Sequence, residues 1–281
     1  MRWPEGVGTF LRRLALLPDS DAEESGEGIE MYDIRKLNSQ PLLSSYRPLT
    51  WQRRLVPVGE QRFILLFMGI VAVLVFILSE FKIGRMLLYP FAIISTVFHE
   101  FGHATVAWLT GGTMGSIQIE WTEAGATRFS GGWPCLILPA GYIGSTAVGA
   151  LLVFLAFGRR TARWTTIGVM AILAITLLYA HDLFTLISAV FLLVLLGGAW
   201  WYKDGAFARH FIIILGVCAS LNALTSIINT TVFHTIKGSD AYEFSKRCSI
   251  LIPAFMYGIL WFIVSLAIQA LSIAAGLVFF R

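Results

Sequence analysis

The sequence predicts an all-α polytopic membrane protein with 6–7 transmembrane helices and a small β-hairpin or re-entrant loop after the second of them. Three observations carry this expectation. Hydrophobic residues make up 57% of the 281 and charged residues only 14%, with a mean hydropathy of +0.73. Soluble domains carry about 45–50% apolar and roughly 25% charged residues. Apolar runs near the length of about 20 residues needed to span a bilayer recur along the chain. Residues 111–133 break that pattern, being too polar to span and too sparsely charged for a solvated linker. A water-soluble enzyme, a disordered chain and a disulfide scaffold are excluded by this composition. A formal charge of +4 is too small for nucleic acid to be the expected partner. The three cysteines, Cys135, Cys218 and Cys248, are odd in number and lie in or beside apolar runs, so no disulfide framework is implied.

Residues 1–62 hold nine Lys/Arg and nine Asp/Glu. The apolar cluster after Arg12-Arg13 is too short for a secretory signal, and the acidic stretch at 19–30 argues against a transit peptide. Residues 1–60 therefore read as a polar, largely flexible arm, and 61–281 as the transmembrane domain. Candidate spans are 63–81, 87–109, 134–158, 165–181, 183–201, 207–231 and 250–279. The fourth and fifth are separated only by His181-Asp182, as a hairpin or one broken element. Lys and Arg in the short loops tie between the two sides, so charge bias sets no orientation.

Within the break, Ser116 to Trp121 alternates polar and apolar residues, the period of a half-buried strand. Residues 122–125 offer a turn and Ala126 to Phe129 a returning strand. Glycine pairs at 111–112 and 131–132 supply backbone freedom at both ends. Such backbone survives at membrane depth only when packed on protein or lining a wet cavity. An exposed strand edge there, at 116–121 or 126–130, suits strand addition by an unwound substrate segment, with Ile117 and Ile119 as candidates to receive it; a merely structural plug fits the same segment.

The second run contains His99-Glu100-Phe101-Gly102-His103. On a helix, residues four apart share a face, so both imidazoles can grip one metal ion. Glu100 stands beside them as general base for a metal-bound water, whose pKa zinc lowers to about 7. Ordinary residue frequencies would give this spacing by accident roughly once in a hundred chains of this length. Intramembrane ionisable clusters are expensive and functional by default. Gly102, Ala104 and Ala107 on this helix, with Gly141, Gly144 and Gly149 on the next span, provide small faces for close packing.

The stretches PFAIISTVFHEFGHATVAWLTGG and GATRFSGGWPCLILPAGYIGSTAVGALL, with Ser239-Asp240-Ala241, resemble the M50B-like group of membrane-embedded zinc metallopeptidases, relatives of the site-2 proteases. The resemblance covers about 85–245. It implies intramembrane proteolysis, with His99 and His103 as zinc ligands and Glu100 as base. Site-2 proteases take a third ligand from an Asp on a later span. The corresponding stretch Leu221–Asn229 has neither acid nor proline, and the resemblance implies acids where Ser226 and Asn229 stand.

A catalytic zinc site uses three protein ligands and an open position. Asp240 and Asp182 are the replacements in view. Asp240 also suits a helix cap, and Asp182 a polar turn. Asn222 is a candidate for orienting substrate. The expected partners are the lipid bilayer and a single-pass membrane-protein substrate, with zinc as cofactor and no nucleic acid. Two other functions fit the same residues: a non-catalytic M50B-like scaffold or chaperone retaining the metal-site fold, and a transporter. No inverted repeat of the kind transporters show is visible.

Overall fold

The computed structural model describes residues 55–280 apart from 120–124, 180–182, 206, 234–235 and 250. The N-terminal arm to residue 54 lies outside the described residues, as do Glu120, Glu123, Asp182 and His234.

Helix α1 (Glu60–Glu80) ends at Phe81, whose extended backbone turns the chain into α2 (Lys82–Leu109). Pro90 lies inside α2; it has no N–H to donate to the preceding turn, a local weakness that packing must cover. After Thr110, Gly111 adopts φ 80°, a conformation that glycine alone reaches without steric cost. Strands β1 (Thr113–Ile119) and β2 (Gly125–Ser130) then pair antiparallel, from Thr113 opposite Ser130 to Ile119 opposite Gly125. The register shifts between Met114 and Ser116, and the connection between the strands lies outside the described residues.

Helix α3 (Pro134–Ala156) starts with proline at its first position, where the missing N–H costs nothing. It is followed by α4 (Arg159–Tyr179), α5 (Leu183–Trp201) and a 3₁₀ turn at Tyr202–Gly205. Helix α6 (Ala208–Ile227) runs on into a π-helical turn, Ile228–Phe233. A short α7 (Asp240–Arg247) and the long α8 (Ala254–Phe279) complete the chain.

Among the described residues, four helices are long and apolar enough to cross a membrane: α1, α3, α6 with its π turn, and α8. The expected span at 183–201 lies on α5, whose apolar stretch Thr185–Trp201 is shorter, and those at 87–109 and 165–181 lie on α2 and α4.

Helix α3 is the centre of the bundle, packed against α2, α6 and α8. Its inner face and that of α6 meet through Leu152, Val153, Ile212, Ile213 and Leu215, all nearly inaccessible. Polar side chains stitch the same helices: Thr146 Oγ1 lies 3.1 Å from Ser265 Oγ of α8, and Ser95 Oγ donates to the Ala219 carbonyl at 3.3 Å. In lipid, such bonds and close van der Waals packing hold helices together, because burial of apolar surface gives little gain there.

Gly149 differs from its expected role. A Cβ there would meet Ser220 and Gly216 of α6, so it serves the α3–α6 contact and not the motif-bearing helix. At one end of the bundle Glu60 receives Arg209 at 3.0 Å and also pairs with Arg159. The buried Gln61 amide donates there to the carbonyls of Leu277 and Phe280, at 3.0 and 3.2 Å. The other end gathers the starts of α3 and α8, the end of α6, and α7.

That second end carries a covalent link the sequence did not suggest. Cys135 and Cys248, 113 residues apart, form a disulfide with Cα atoms 5.6 Å apart. The odd count concealed it, because Cys218 is buried on α6 as a free thiol.

Candidate metal centre

The His-Glu-x-x-His segment lies in the second half of α2, where helical spacing puts both imidazoles on the face turned to α3. Position 141 of α3 has no side chain. A Cβ there would lie 2.4 Å from His103 Nε2 and 2.5 Å from His99 Nε2, so glycine alone leaves room for both rings. Gly102 and Gly144 bring the two backbones together at the same place: a Cβ on Gly102 would strike the Ala140 carbonyl oxygen at 2.2 Å.

His103 is buried, and its Nδ1 lies 2.8 Å from the carbonyl oxygen of Ile137 on α3. A carbonyl only accepts, so Nδ1 carries the proton and donates. Nε2 is then the nitrogen turned inward, the arrangement of a metal-ligating histidine oriented by a backbone carbonyl. His99 Nε2 stands 3.0 Å away. The ring of His99 is held edge-on between His103, with centroids 4.7 Å apart, and Tyr142, at 4.6 Å.

Asp240 closes the group. Its Oδ2 is 3.0 Å from His99 Nε2 and 3.3 Å from His103 Nε2. The aspartate is the first residue of α7, after Ser239 as N-cap. Only two turns long, α7 is anchored by Ala241, which is fully buried, and by Phe244, edge-on to Tyr257 at 4.6 Å and to Trp261 at 5.6 Å. Acids in its first turn and bases in its last complement the helix dipole. Burial alone would raise the Asp240 carboxyl, but hydrogen bonds and charge from His103 and His99 outweigh it and hold the group well below the usual carboxylate range.

Two imidazole nitrogens and one carboxylate oxygen, all within 4.8 Å of one another, are thus turned toward a common point. A proton shared between imidazole and carboxylate, or one metal ion bound by all three, satisfies such a group. Donors about 2.1 Å from one tetrahedral zinc stand about 3.4 Å apart, close to the separations here. The donor set therefore fits zinc. Glu100, next to His99 in the chain, is buried with 3% exposure.

Of the residues singled out from the sequence, the structure brings together His99, His103 and Asp240, with Glu100 alongside. Asp182 lies outside the described residues. Asn222 lines a different feature, a cavity of about 80 Å³ between α1, α2 and α6 whose walls include Ser79, Phe91, Cys218 and Thr225 but none of the three clustered residues. Ile117 and Ile119 stand on β1, opposite Thr127 and Gly125.

Three participants escaped the sequence reading. The Ile137 carbonyl is backbone and carries no residue signal. Tyr142 drew notice only as part of Pro-Ala-Gly-Tyr. Thr230 meets the Tyr142 hydroxyl at 3.0 Å from the π-helical turn of α6. Such turns occur often at functional sites, but nothing in the local sequence announces one.

A family model described as Peptidase M50B-like matches residues 66–272, most of the chain. No curated protein and no solved structure matches it.

Proposed function

The chain belongs to the Peptidase M50B-like family and is a multi-pass integral membrane protein, and from that premise we propose that it is an intramembrane zinc endopeptidase cleaving a single-pass membrane protein. The observation that carries the reading is the convergence of His99, His103 and Asp240 on one point beside the buried Glu100. His99 and His103, through Nε2, and Asp240, through Oδ2, would hold the zinc. When bound, zinc supplies a Lewis acid that polarises a carbonyl and acidifies water.

The remaining work falls to the chain. Glu100 takes the proton that water gives up on attacking the peptide carbonyl and returns it to the departing nitrogen, so one water is added across the bond. The Ile137 carbonyl keeps His103 in the tautomer that presents Nε2. Tyr142 walls the His99 ring. A substrate helix is unwound before cleavage and its extended stretch adds to β1 alongside Ile117 and Ile119, in a β-hairpin next to the zinc helix. Helices α4 and α5 join the four long apolar helices to give six spans, while α2 begins beside the end of α1 and finishes beside the start of α3, so it enters and leaves at one end of the bundle with its polar face turned inward.

A scaffold that kept the metal only for structure would have no use for a buried carboxylate at position 100. The test compares wild type with Glu100→Gln, purified in detergent and also reconstituted with single-pass reporter substrates. About one zinc per chain in both proteins, with cleavage by wild type only, is expected. Absence of zinc from well-folded wild type overturns the reading. Equal cleavage by both proteins removes Glu100 from the reaction.

A further inference from the structure

The bridge between Cys135 and Cys248 falls at a telling place. Cys248 is the residue immediately after α7, the helix whose first residue is Asp240. Cys135 lies in the first turn of α3, two residues before Ile137, whose carbonyl orients His103. One covalent bond thus ties the element that presents the carboxylate to the element that sets the imidazole.

We infer that Cys135 and Cys248 are positioning residues for the metal centre: their disulfide holds Asp240 at ligating distance from His99 and His103.

The need for such a tie follows from α7 itself. Eight residues are too few for a helix to be stable alone. Gly238, with φ 91°, leads into it and Pro253 follows it. The Ser239 hydroxyl is buried without a hydrogen-bond partner and caps nothing. What seats the helix is the small apolar contact of Ala241 and Phe244 at one side and the bridge at its end. Opening the bridge leaves the two imidazoles in place on α2, a helix of 28 residues, and loosens only the third donor.

The link also makes the centre sensitive to oxidation state. Closing it joins two thiols, which lose two protons and two electrons to a disulfide partner. A dithiol reductant reverses the exchange, breaking the S–S bond and becoming a disulfide itself.

The inference rests on the metal-centre reading, and one experiment separates their failures. Zinc affinity is measured by chelator competition on the detergent-purified full chain, for wild type, Cys135→Ala/Cys248→Ala, Asp240→Ala and the triple variant. Supports of a metal ligand typically contribute about 10–100-fold in affinity. The double cysteine variant is expected to bind zinc at least about 10-fold more weakly, and breaking the bridge in the Asp240→Ala background is expected to cost nothing further. Gln61→Ala, which removes bonds at the far end of the bundle, lowers thermal stability with affinity unchanged and so controls for general loosening. A cysteine variant that binds zinc like wild type overturns the inference, as does an equal loss in the Asp240→Ala background. If the double variant fails to fold, Cys248→Ser alone, or the oxidised and reduced wild type after removal of the reductant, gives the same comparison. No zinc in wild type overturns the metal-centre reading itself.

Discussion

A single methyl group at position 141 reaches the metal centre without touching any ligand chemically. The Cβ of Gly141→Ala would lie 2.4 Å from His103 Nε2 and 2.5 Å from both His99 Cε1 and Nε2. Non-bonded heavy atoms rest at about 3.5–4.0 Å, so each ring must withdraw by about 1 Å. That is half the length of a zinc–imidazole bond of about 2.0–2.1 Å. His103 has little freedom to do so, because its other nitrogen is fixed on Ile137 at 2.8 Å. Forcing extra volume into a packed site typically costs about 1–3 kcal/mol. If this falls on the metal-bound geometry, zinc binding weakens by roughly 5–150-fold, at about 1.4 kcal/mol per decade. The assay is chelator competition for zinc, run beside thermal unfolding of the metal-free protein. Two neighbours serve as references. Gly144→Ala meets only Gly102 Cα, at 3.1 Å, and is expected to change little; Gly102→Ala strikes the Ala140 carbonyl backbone and is expected to lower stability whether or not metal is present. A folded Gly141→Ala protein with wild-type zinc affinity would refute the reasoning.

Other substitutions probe the remaining supports. Tyr142→Phe removes the hydroxyl that meets Thr230; a loss of about 0.5–1.5 kcal/mol in unfolding free energy with zinc retained is expected, and loss of zinc would instead make the hydroxyl part of the ligand shell. Gln61→Leu leaves the Leu277 and Phe280 carbonyls without their shared donor, and a loss of about 1–3 kcal/mol is expected, read as a lower midpoint of thermal unfolding with no change in metal content. Disulfides persist where the surroundings are oxidising, so the end of the bundle carrying Cys135 and Cys248 should face the exoplasmic or lumenal side and the Glu60 end the cytosol. In sealed vesicles of known sidedness, an impermeant maleimide applied after reduction should label the exposed Cys135 from the first side, with buried Cys218 unlabelled; labelling from the cytosolic side alone would reverse the orientation.

The parts of this site that were legible in the sequence are those fixed by short-range geometry. His99 and His103 share a helix face because they are four residues apart, whatever surrounds them. Asp240 was visible only as one of two acids, since its approach to α2 depends on how α7 is seated between α3 and α8. The Cys135–Cys248 bridge was hidden for the same reason: residues 113 apart leave no local trace of pairing. Asn222 was singled out for its polarity on an apolar helix, and rotation around α6 turns it toward the cavity shared with α1 and α2. Hydropathy found the four long apolar helices directly. Helix α2 is not among them, because His99, Glu100 and His103 make its second half polar.

The wide separation of the three donors along the chain has a consequence for synthesis. Asp240 follows His103 by 137 residues. At about 5–20 residues per second, the carboxylate is made roughly 7–27 s after the imidazoles. Throughout that interval α2 already stands in the membrane with two donors and no third. The cysteine that closes the bridge comes later still, eight residues beyond the aspartate. A nascent chain therefore passes through insertion with an incomplete centre, and the order of translation itself delays assembly of the three-donor group until all but the last helix has been built.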